Sequence, residues 1–406
     1  MKFVIFDDAF RSNFFPITLT RSTGDLRIGI LKLRQRILNY FSVLETNIII
    51  SSTLEEIYKE RHINWNVNTL TNEETIFINS RIKINETFKN AIMTLKTNEC
   101  LVNEDTILAA KCIPASKNNS SENINELFGN LKIINEPKLE CWEFLWDLLK
   151  ANSEYITRDF NDVFYDKDNY FETELGTTVI NPYNVWIGDG VTLKHGVIID
   201  ATDGPVILDE NSTIMSNTVV IGPVYIGKGS TIKIGAKIYK GTSIGPVCKV
   251  GGEVEETIFQ GYSNKQYDGY LGHSYLGEWV DLGANTNNCA LNNNYKTASV
   301  YFYPQADFID TQNKFIGTFI GDHSKTGVNS TINAGTVIGI GCDLDGSELI
   351  NKNIPSFKYV TGLKAGDYLL DKFIEIAELV KKRGDLTFSG SEKELYSMIH
   401  KQVFDN

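Results

Sequence analysis

The chain has 406 residues, of which 42% are hydrophobic and 22% are charged, and its formal net charge is −12. That length and composition predict two or three domains with sizeable cores. The negative charge argues against nucleic acid as a partner, because a phosphate backbone binds a basic face. Six scattered cysteines, with no paired spacing, predict neither a zinc site nor a disulfide framework. No apolar run reaches membrane-spanning length, so we expect no membrane association and a cytoplasmic location.

Residues 1–175 read as a mixed α/β domain. The runs "KFVIF", "TNIIISS" and "ETIFINSRIKI" are short and rich in β-branched residues, as is typical of buried strands. The run "TGDLRIGILKLRQRILNYF" spaces its apolar residues as a helix does, and so does "KLECWEFLWDLLKANSEYITRDF". Trp142 and Trp146 in the second run are expected to be core residues.

A six-residue period governs residues 176–352. Aliphatic residues recur at every sixth position, and glycine often follows them. This period fits neither a helix nor a hairpin, and it is typical of a parallel β-helix in which three hexads form one triangular coil. The aliphatic side chain of each hexad is predicted to point into the prism. The positions in phase are Ile187, Leu193, Ile199, Leu208, Ile214, Val220, Ile226, Ile232, Ile238, Ile244, Val250, Leu276, Leu282, Ile320, Ile332 and Ile338.

The period breaks twice, between Val250 and Leu276 and between Leu282 and Ile320. Breaks in a solenoid usually correspond to protruding loops, which are often functional. Both breaks flank "GYLGHSYLGEWVDLGANT", which contains His273. The sequence of residues 353–406 predicts two helices, "DYLLDKFIEIAELVKKRG" and "EKELYSMIHKQV". We expect both helices to serve structural packing.

Several runs resemble a known family. They are "FFPITLTRSTGDLRIGILKLR", "WDLLKANSEYITRDF", the whole stretch from "GPVYIGKGS" to "GANTNN", and "GDHSKTGVNSTINAGT". Together they resemble the divergent GlmU-like proteins of Bacteroidetes. The resemblance implies an α/β nucleotidyltransferase-like domain, a left-handed parallel β-helix of hexapeptide repeats, and C-terminal helices. It also implies a homotrimer that makes UDP-N-acetylglucosamine from glucosamine 1-phosphate, acetyl-CoA and UTP.

The resemblance also suggests roles for single residues. In "GHSYLG", His273 matches the general base that deprotonates the sugar amine, and His323 in "GDHSKTG" is a second candidate for the base. His195 is expected to be structural. The matching CoA contacts are Ala284, which meets the thioester, and Lys296. The matching or substituting sugar-phosphate contacts are Lys237, Glu253, Lys265, Tyr275, Asp281 and Tyr295.

Acetyl transfer to an amine is consistent with these residue types. The amine must be neutral to attack, and a base with a pKa near 7 suits its deprotonation, so histidine is the natural choice. Such a base contributes roughly 10²–10⁴ in rate. The oxyanion needs a fixed N–H group, which the backbone at Gly283 and Ala284 can offer.

The N-terminal domain leaves two readings open. Related nucleotidyltransferases hold the nucleotide phosphates in a glycine-rich loop, whereas this chain has "FDDAFRSNFFPITLTR" after its first strand. Arginines at positions 11, 21 and 27 offer guanidinium groups that match phosphate. Oxygen ligands for Mg²⁺ can come from Asp7, Asp8 or Asp25.

The first reading is a divergent but working uridylyltransferase with phosphate contacts at Arg11, Arg21 and Arg27. The second is a domain that keeps the fold and has lost its chemistry. For the whole chain, the alternatives to a bifunctional enzyme are a nucleotidyltransferase whose β-helix only oligomerises or regulates, and a non-enzymatic trimeric scaffold.

Overall fold

The computed structural model describes residues 2–114, 119–165, 169, 173–346, 349–361 and 364–404. The N-terminal domain contains a seven-stranded sheet in which the first strand lies between two parallel neighbours. One strand, Thr106–Cys112, runs antiparallel to both of its neighbours. From one edge to the other, the strands are Asn66–Val67, Asn47–Ile49, Lys2–Phe6, Thr75–Asn79, Thr106–Cys112, Glu99–Asn103 and Lys132–Asn135.

In the described part of the N-terminal domain five helices accompany this sheet, and Trp142 and Trp146 are buried core residues as predicted, Trp146 on the last helix itself. The helices are Leu33–Tyr40, Glu55–Arg61, Glu86–Thr94, Ile124–Phe128 and Leu145–Val163. Short 3₁₀ turns cover Ala9–Phe14, Ile17–Leu19, Thr23–Asp25, Ser52–Leu54 and Ser121–Asn123.

The helix predicted over "TGDLRIGILKLRQRILNYF" was wrong in its first half. A hairpin of Arg27–Ile28 with Leu31–Lys32 precedes the helix, which begins only at Leu33. The long helix Leu145–Val163 accounts for the difference. Its Asn152 side chain accepts a hydrogen bond from the Gly29 N–H at 2.7 Å, and Asp159 accepts one from the Ile30 N–H at 2.9 Å. These tertiary bonds take donors that a continuous helix would use internally.

The second region is a triangular parallel β-helix, and the predicted fold class is confirmed. All sixteen in-phase aliphatic residues lie in a single buried cluster inside the prism. Some corners are tight. A Cβ added to Gly227 would lie 2.7 Å from the carbonyl carbon of Gly245 in the next coil.

The prism has three faces. Face one contains Thr178–Ile180, Ile198–Asp200, Val219–Ile221, Lys237–Ile238, Glu253–Glu255 and Tyr270–Gly272, and continues as Asn287–Asn288, Thr331–Ile332 and Leu349–Ile350. Face two contains Val185–Ile187, Val206–Leu208, Val224–Ile226, Thr242–Ile244, Ile258–Gly261, Tyr275–Glu278, Thr318–Ile320, Thr336–Ile338 and Asn353–Ile354. Face three contains Thr192–Leu193, Thr213–Ile214, Thr231–Ile232, Lys249–Val250, Asn264–Lys265, Asp281–Leu282, Lys325–Thr326, Asp343–Asp345 and Lys358–Thr361, and ends with Lys364–Asp367.

The two predicted breaks have different outcomes. Across the first break, face three continues without a protruding loop, because Lys249 pairs with Asn264 and Asn264 pairs with Asp281. The second break does produce a protrusion, residues 289–317, which we call the inserted segment. It contains an antiparallel hairpin of Ser299–Phe302 with Asp307–Asp310.

The N-terminal domain packs along the outside of face two. Outward-facing residues of that face are buried, among them Ser243, Gln260 and Tyr275. The C-terminal helices Leu370–Lys382 and Gly390–Phe404 pack on each other, and the second also contacts helix Glu55–Arg61. No helix in the described part of the chain is long and apolar enough to cross a membrane. The boundaries at 175/176 and 352/353 stay predictions.

Candidate functional site

His273 lies at the corner where face one turns into face two. Its backbone is left-handed, with φ of 50°, and its N–H donates to the Glu255 carbonyl of the preceding coil. The imidazole stacks on Phe315 of the inserted segment, with ring centroids 5.3 Å apart. Its Nε2 lies 4.0 Å from Glu255 Oε1, and 22% of the side chain remains exposed. A partly exposed imidazole therefore sits beside a carboxylate at the edge of face one.

The surroundings favour a neutral imidazole. Burial lowers the pKa of His273, and the Glu255 carboxylate opposes that shift only in part. Tyr270 donates its hydroxyl hydrogen to the same carboxylate. Burial and this bond raise the pKa of Tyr270 well above its usual range. Glu255 is thus held in place by Tyr270, and a neutral His273 can accept a proton at physiological pH.

A polar strip runs along the outside of face one towards this corner. Lys237 and Glu253 lie on adjacent strands, and their side chains form an ion pair at 3.1 Å. Glu253 is in register with Tyr270 on the next strand. Lys237 and Glu253 therefore share a surface with His273.

Two expected sugar contacts are not on this surface. Tyr275 is fully buried against the N-terminal domain, where its hydroxyl accepts a hydrogen bond from the Arg27 N–H at 2.8 Å. Lys265 occupies an inward position in the prism, and its Nζ donates to the carbonyl oxygens of Tyr267 and Asp268 at 2.5 and 3.0 Å. Burial lowers the pKa of Lys265 to about 8. Strand alternation explains Tyr275, whose side chain points outward from face two rather than from face one.

The remaining expected contacts, with CoA and with the sugar phosphate, are spread over two parts of the chain. Ala284 is at the corner between face three and face one, and its N–H donates to no atom in the described part of the chain. Asp281 is on the outside of face three, where burial raises the pKa of its carboxyl. Tyr295 and Lys296 are exposed near the start of the inserted segment, and their side chains make no hydrogen bond within the described ranges. Ala284 and Asp281 are therefore not at the corner that carries His273.

The second candidate base, His323, is enclosed by aromatic rings. Its ring stacks on Trp279 and meets Phe373, Phe388 and Tyr396 edge-on. Burial lowers its pKa to about 3. A substrate has no access to this imidazole, which makes His273 the better candidate.

His195 is exposed, and its Nδ1 lies 2.6 Å from the Leu175 carbonyl oxygen, within hydrogen-bond distance. Its structural role stays a prediction.

A second candidate site lies at the carboxyl edge of the N-terminal sheet. Ligands of open α/β sheets bind in crevices at this edge. Here a cleft of about 910 Å³ is bounded by the turn after the first strand, by the segment after Thr75–Asn79, and by residues 103–106 and 140–147. Residues 302, 304 and 305 of the inserted segment form its remaining wall.

The three arginines expected to clamp phosphates are already engaged. Arg21 pairs with Asp322 of the β-helix at 2.6 Å. Arg27 donates to the Ile30 carbonyl and stacks over Tyr225, so it also belongs to the contact between the domains. Arg11 donates to the Thr18 carbonyl at 2.6 Å, within its own loop. None of the three lines the cleft.

The carboxylates expected to hold Mg²⁺ do not form a metal site. Asp25 accepts hydrogen bonds from Lys32 Nζ at 3.1 Å and from Arg34 Nε at 2.8 Å, so two side-chain cations already neutralise its carboxylate. Asp7 accepts from the hydroxyls of Ser22 and Ser80, and burial raises its pKa to about 6. No cluster of potential ligands for a metal ion occurs among the described residues. These donor sets do not fit Mg²⁺.

Sequence reasoning missed three residues around His273. Glu255 and Tyr270 occupy outward positions of adjacent face-one strands, so strand alternation from Glu253 could have indicated them. Phe315 gave no such signal, because it reaches His273 from the C-terminal end of the inserted segment, which no local pattern places there.

Comparisons with known proteins agree with this architecture. Residues 3–166 match the family model described as sugar nucleotidyl transferase. The chain is 28% identical over 201 residues to bifunctional protein GlmU of Synechococcus elongatus, covering 44% of this chain and 40% of that protein. It is 26% identical over 284 residues to bifunctional protein GlmU of Streptococcus pyogenes, covering 58% of this chain and 56% of that protein. The chain therefore spans less than two thirds of either relative.

Among solved structures, a UDP-N-acetylglucosamine acyltransferase from Campylobacter jejuni aligns over 58% of this chain and 82% of its own, with 15% identity and a TM-score of 0.30. The two GlmU relatives are from a cyanobacterium and a streptococcus, and the assignment to Bacteroidetes stays a prediction. The sequence matches and the two-part fold agree in one conclusion: residues 3–166 match a sugar nucleotidyl transferase domain, and the chain is similar to bifunctional GlmU proteins over about half of its length.

Proposed function

We propose that the protein is a bifunctional transferase that forms UDP-N-acetylglucosamine. The β-helix would transfer the acetyl group of acetyl-CoA to glucosamine 1-phosphate, and the N-terminal domain would transfer uridylyl from UTP. The observation that supports this best is the pairing of a partly exposed, neutral His273 with Glu255 on a hexapeptide β-helix that follows a sugar nucleotidyl transferase domain.

His273 acts as general base in the acetyl transfer. It takes a proton from the attacking amine, the nitrogen bonds to the acetyl carbon, the C–S bond breaks, and the proton passes to the departing thiolate. Glu255 and Phe315 fix the imidazole from two sides. The N–H of Ala284 has no partner in the described chain and suits the oxyanion.

A complete acetyl-transfer site needs a second copy of the chain. His273 and Ala284 lie at opposite edges of face one, so a neighbouring prism has to bring the second half of the site. This arrangement supports a homotrimer as the working form. Measuring the mass of the protein in solution tests it, and a monomer that transfers acetyl groups would contradict it.

In the N-terminal domain, the cleft at the carboxyl edge receives the sugar 1-phosphate and the nucleotide. An oxygen of the sugar phosphate bonds to the α-phosphorus of UTP, and pyrophosphate leaves. The chain contributes binding and orientation, since the carboxylates available do not fit a metal.

That misfit supports a second candidate, an acetyltransferase whose N-terminal domain keeps only the fold. Two assays separate the candidates. Thiol release from acetyl-CoA with glucosamine 1-phosphate reports acetyl transfer, and pyrophosphate release from UTP with N-acetylglucosamine 1-phosphate reports uridylyl transfer. We expect both activities in the intact protein. Thiol release without pyrophosphate release would favour the second candidate.

Substitution of the base sharpens the first assay. We expect His273→Ala to reduce acetyl transfer by roughly 10²–10⁴ while pyrophosphate release persists. His195→Ala is the matched control, because His195 contacts only a backbone carbonyl. An active His273→Ala variant would rule out His273 as the base. An inactive intact protein, across several amino-sugar phosphates, would rule out the acetyltransferase.

A further inference from the structure

The inserted segment of the β-helix reaches from one candidate site to the other. At its base, Phe315 stacks on His273, and the Gly317 N–H donates to the His273 carbonyl at 2.8 Å. At its far end, the ring of Phe302 meets Phe144 of the N-terminal domain edge-on at 5.7 Å. The ring of Tyr303 meets Phe15 in the same way, also at 5.7 Å. The hairpin is therefore fastened to the N-terminal domain.

This contact makes the tip of the hairpin a wall of the N-terminal cleft. Phe302, Pro304 and Gln305 line the cleft beside the turn that contains Phe10 and Asn13. Gln305 is exposed to it, and the side-chain amide makes no hydrogen bond within the described ranges. An amide presented freely on a cleft wall is available to a ligand.

The chemistry of the cleft selects the neutral part of a sugar phosphate. Its two cations are already paired, Arg81 with Asp8 and Lys83 with Glu140 at 2.8 Å. No unpaired lysine or arginine of the described chain lines it. Glu104 and Glu143 also line the cleft, and their carboxylates form no ion pair within the described ranges. Carboxylates, amides and aromatic rings instead suit sugar hydroxyls, which donate and accept hydrogen bonds and present apolar ring faces.

We propose that the hairpin tip of the β-helix completes the sugar-binding part of the N-terminal site, with Gln305 as a specificity-determining residue that hydrogen-bonds the sugar. The inference rests on the proposed uridylyl transfer and adds to it a ligand contact from the second domain. It implies that the N-terminal domain alone, without the inserted segment, binds its sugar poorly.

Steady-state kinetics of the full chain test this. The sugar substrate is N-acetylglucosamine 1-phosphate, and the rate of the reaction is measured as pyrophosphate release. Loss of one hydrogen bond in Gln305→Ala should raise the KM for the sugar phosphate roughly three- to tenfold. The kcat and the KM for UTP should stay unchanged. Gln312→Ala is the matched control, since Gln312 belongs to the same segment and does not line the cleft. An unchanged KM for the sugar phosphate in Gln305→Ala would overturn the inference.

Calorimetric titration separates this inference from the proposed function. If the intact protein releases no pyrophosphate, uridylyl transfer has failed, and binding of N-acetylglucosamine 1-phosphate is then measured directly. Binding that weakens in Gln305→Ala but not in Gln312→Ala supports the hairpin contact without the reaction. Equal binding by both variants, or no binding by the intact protein, overturns it. Thiol release by the same variants reports whether the β-helix remains folded.

Discussion

At the scale of single residues, buried polar side chains decide which groups face a substrate and which hold the fold. Tyr275 is two residues from His273, yet its hydroxyl lies among the backbone of Arg27 and the side chain of Gln260. A strand reverses its side chains at each position, and a corner between two faces redirects the chain. Within "GHSYLG", His273 therefore faces solvent at a corner, whereas Tyr275 holds the contact between the domains.

Removing the Tyr275 hydroxyl should reduce stability and leave acetyl transfer intact. In Tyr275→Phe, the buried Arg27 N–H loses its shorter bond and keeps the one to Gln260 Oε1 at 3.2 Å, and a change of this kind costs about 0.5–1.5 kcal/mol. We expect a lower free energy of unfolding, measured by urea denaturation, and an unchanged KM for glucosamine 1-phosphate. Tyr267→Phe, at an exposed tyrosine, is the control. A raised KM for glucosamine 1-phosphate with unchanged stability would instead show that Tyr275 contacts the sugar.

His323 should make the protein sensitive to acid. Its pKa is lowered to about 3 in the folded state by burial, from 6.5 in the unfolded chain. The unfolded state therefore binds a proton between those values that the folded state does not. Stability should fall as pH drops below about 6.5, by up to about 1.4 kcal/mol per pH unit.

The matched pair His323→Leu and His195→Leu tests whether His323 causes the loss of stability in acid. We expect His323→Leu to flatten the dependence of the unfolding free energy on pH between 4 and 6.5, because the titrating group is gone. His195→Leu should keep the slope of the unsubstituted protein. Equal slopes in both variants would show that His323 contributes nothing to the acid response.

At the scale of elements, the β-helix is stabilised by one inward aliphatic residue per hexad. Each coil buries its apolar side chains against the coils above and below it, so a cavity in one coil affects both neighbours. The tight corners that contain glycine bring successive coils close together, as the space around Gly227 shows. Stability of this element therefore depends on volume inside the prism.

Ile238 and Ile234 form a matched pair for this point. Ile238 is buried inside the prism, whereas Ile234 is 63% exposed at a corner of the same coil. Ile238→Ala should lower the free energy of unfolding by roughly 2–5 kcal/mol through lost burial and the cavity left behind. Ile234→Ala should change it by less than about 0.5 kcal/mol. Similar losses in the two variants would contradict the inward placement of the six-residue period.

At the scale of the whole molecule, a buried ion pair joins the N-terminal domain to the β-helix. Asp322 accepts from Arg21 at 2.6 Å and from the Thr20 hydroxyl at 2.7 Å, and Glu278 lies 3.6 Å from the same guanidinium. Thr20 and Arg21, which stand where related nucleotidyltransferases have a nucleotide-binding loop, are thus fixed to the second domain. The two halves are expected to unfold together.

Breaking this pair should separate the unfolding of the two domains. Asp322→Asn removes a charge and leaves Arg21 buried without its closest partner, which costs about 3–5 kcal/mol. We expect calorimetry to show one transition in the intact protein and two in the variant. Glu210→Gln, which disrupts an exposed pair with Lys228, is the control and should keep one transition. A single unshifted transition in Asp322→Asn would show that other contacts join the domains.

The sequence alone determined the β-helix. The same six-residue pattern repeats many times, and each repeat places an aliphatic residue inside the prism. It also singled out His273 and the second break of the period. Such features depend on neighbours in the chain or on regular spacing. Local pattern failed where a distant element took part. The helix predicted from Thr23 begins only at Leu33, because Asn152 and Asp159 accept hydrogen bonds from the Gly29 and Ile30 N–H groups.

Only the tertiary structure decided the partners of the polar residues. The sequence offered arginines and aspartates in the N-terminal loop but gave no sign that Arg21 meets Asp322, three hundred positions away. It offered two histidines, and only packing shows that His323 is enclosed while His273 is partly exposed. A buried charge or hydroxyl takes whichever partner folding places beside it, and no local pattern encodes that choice.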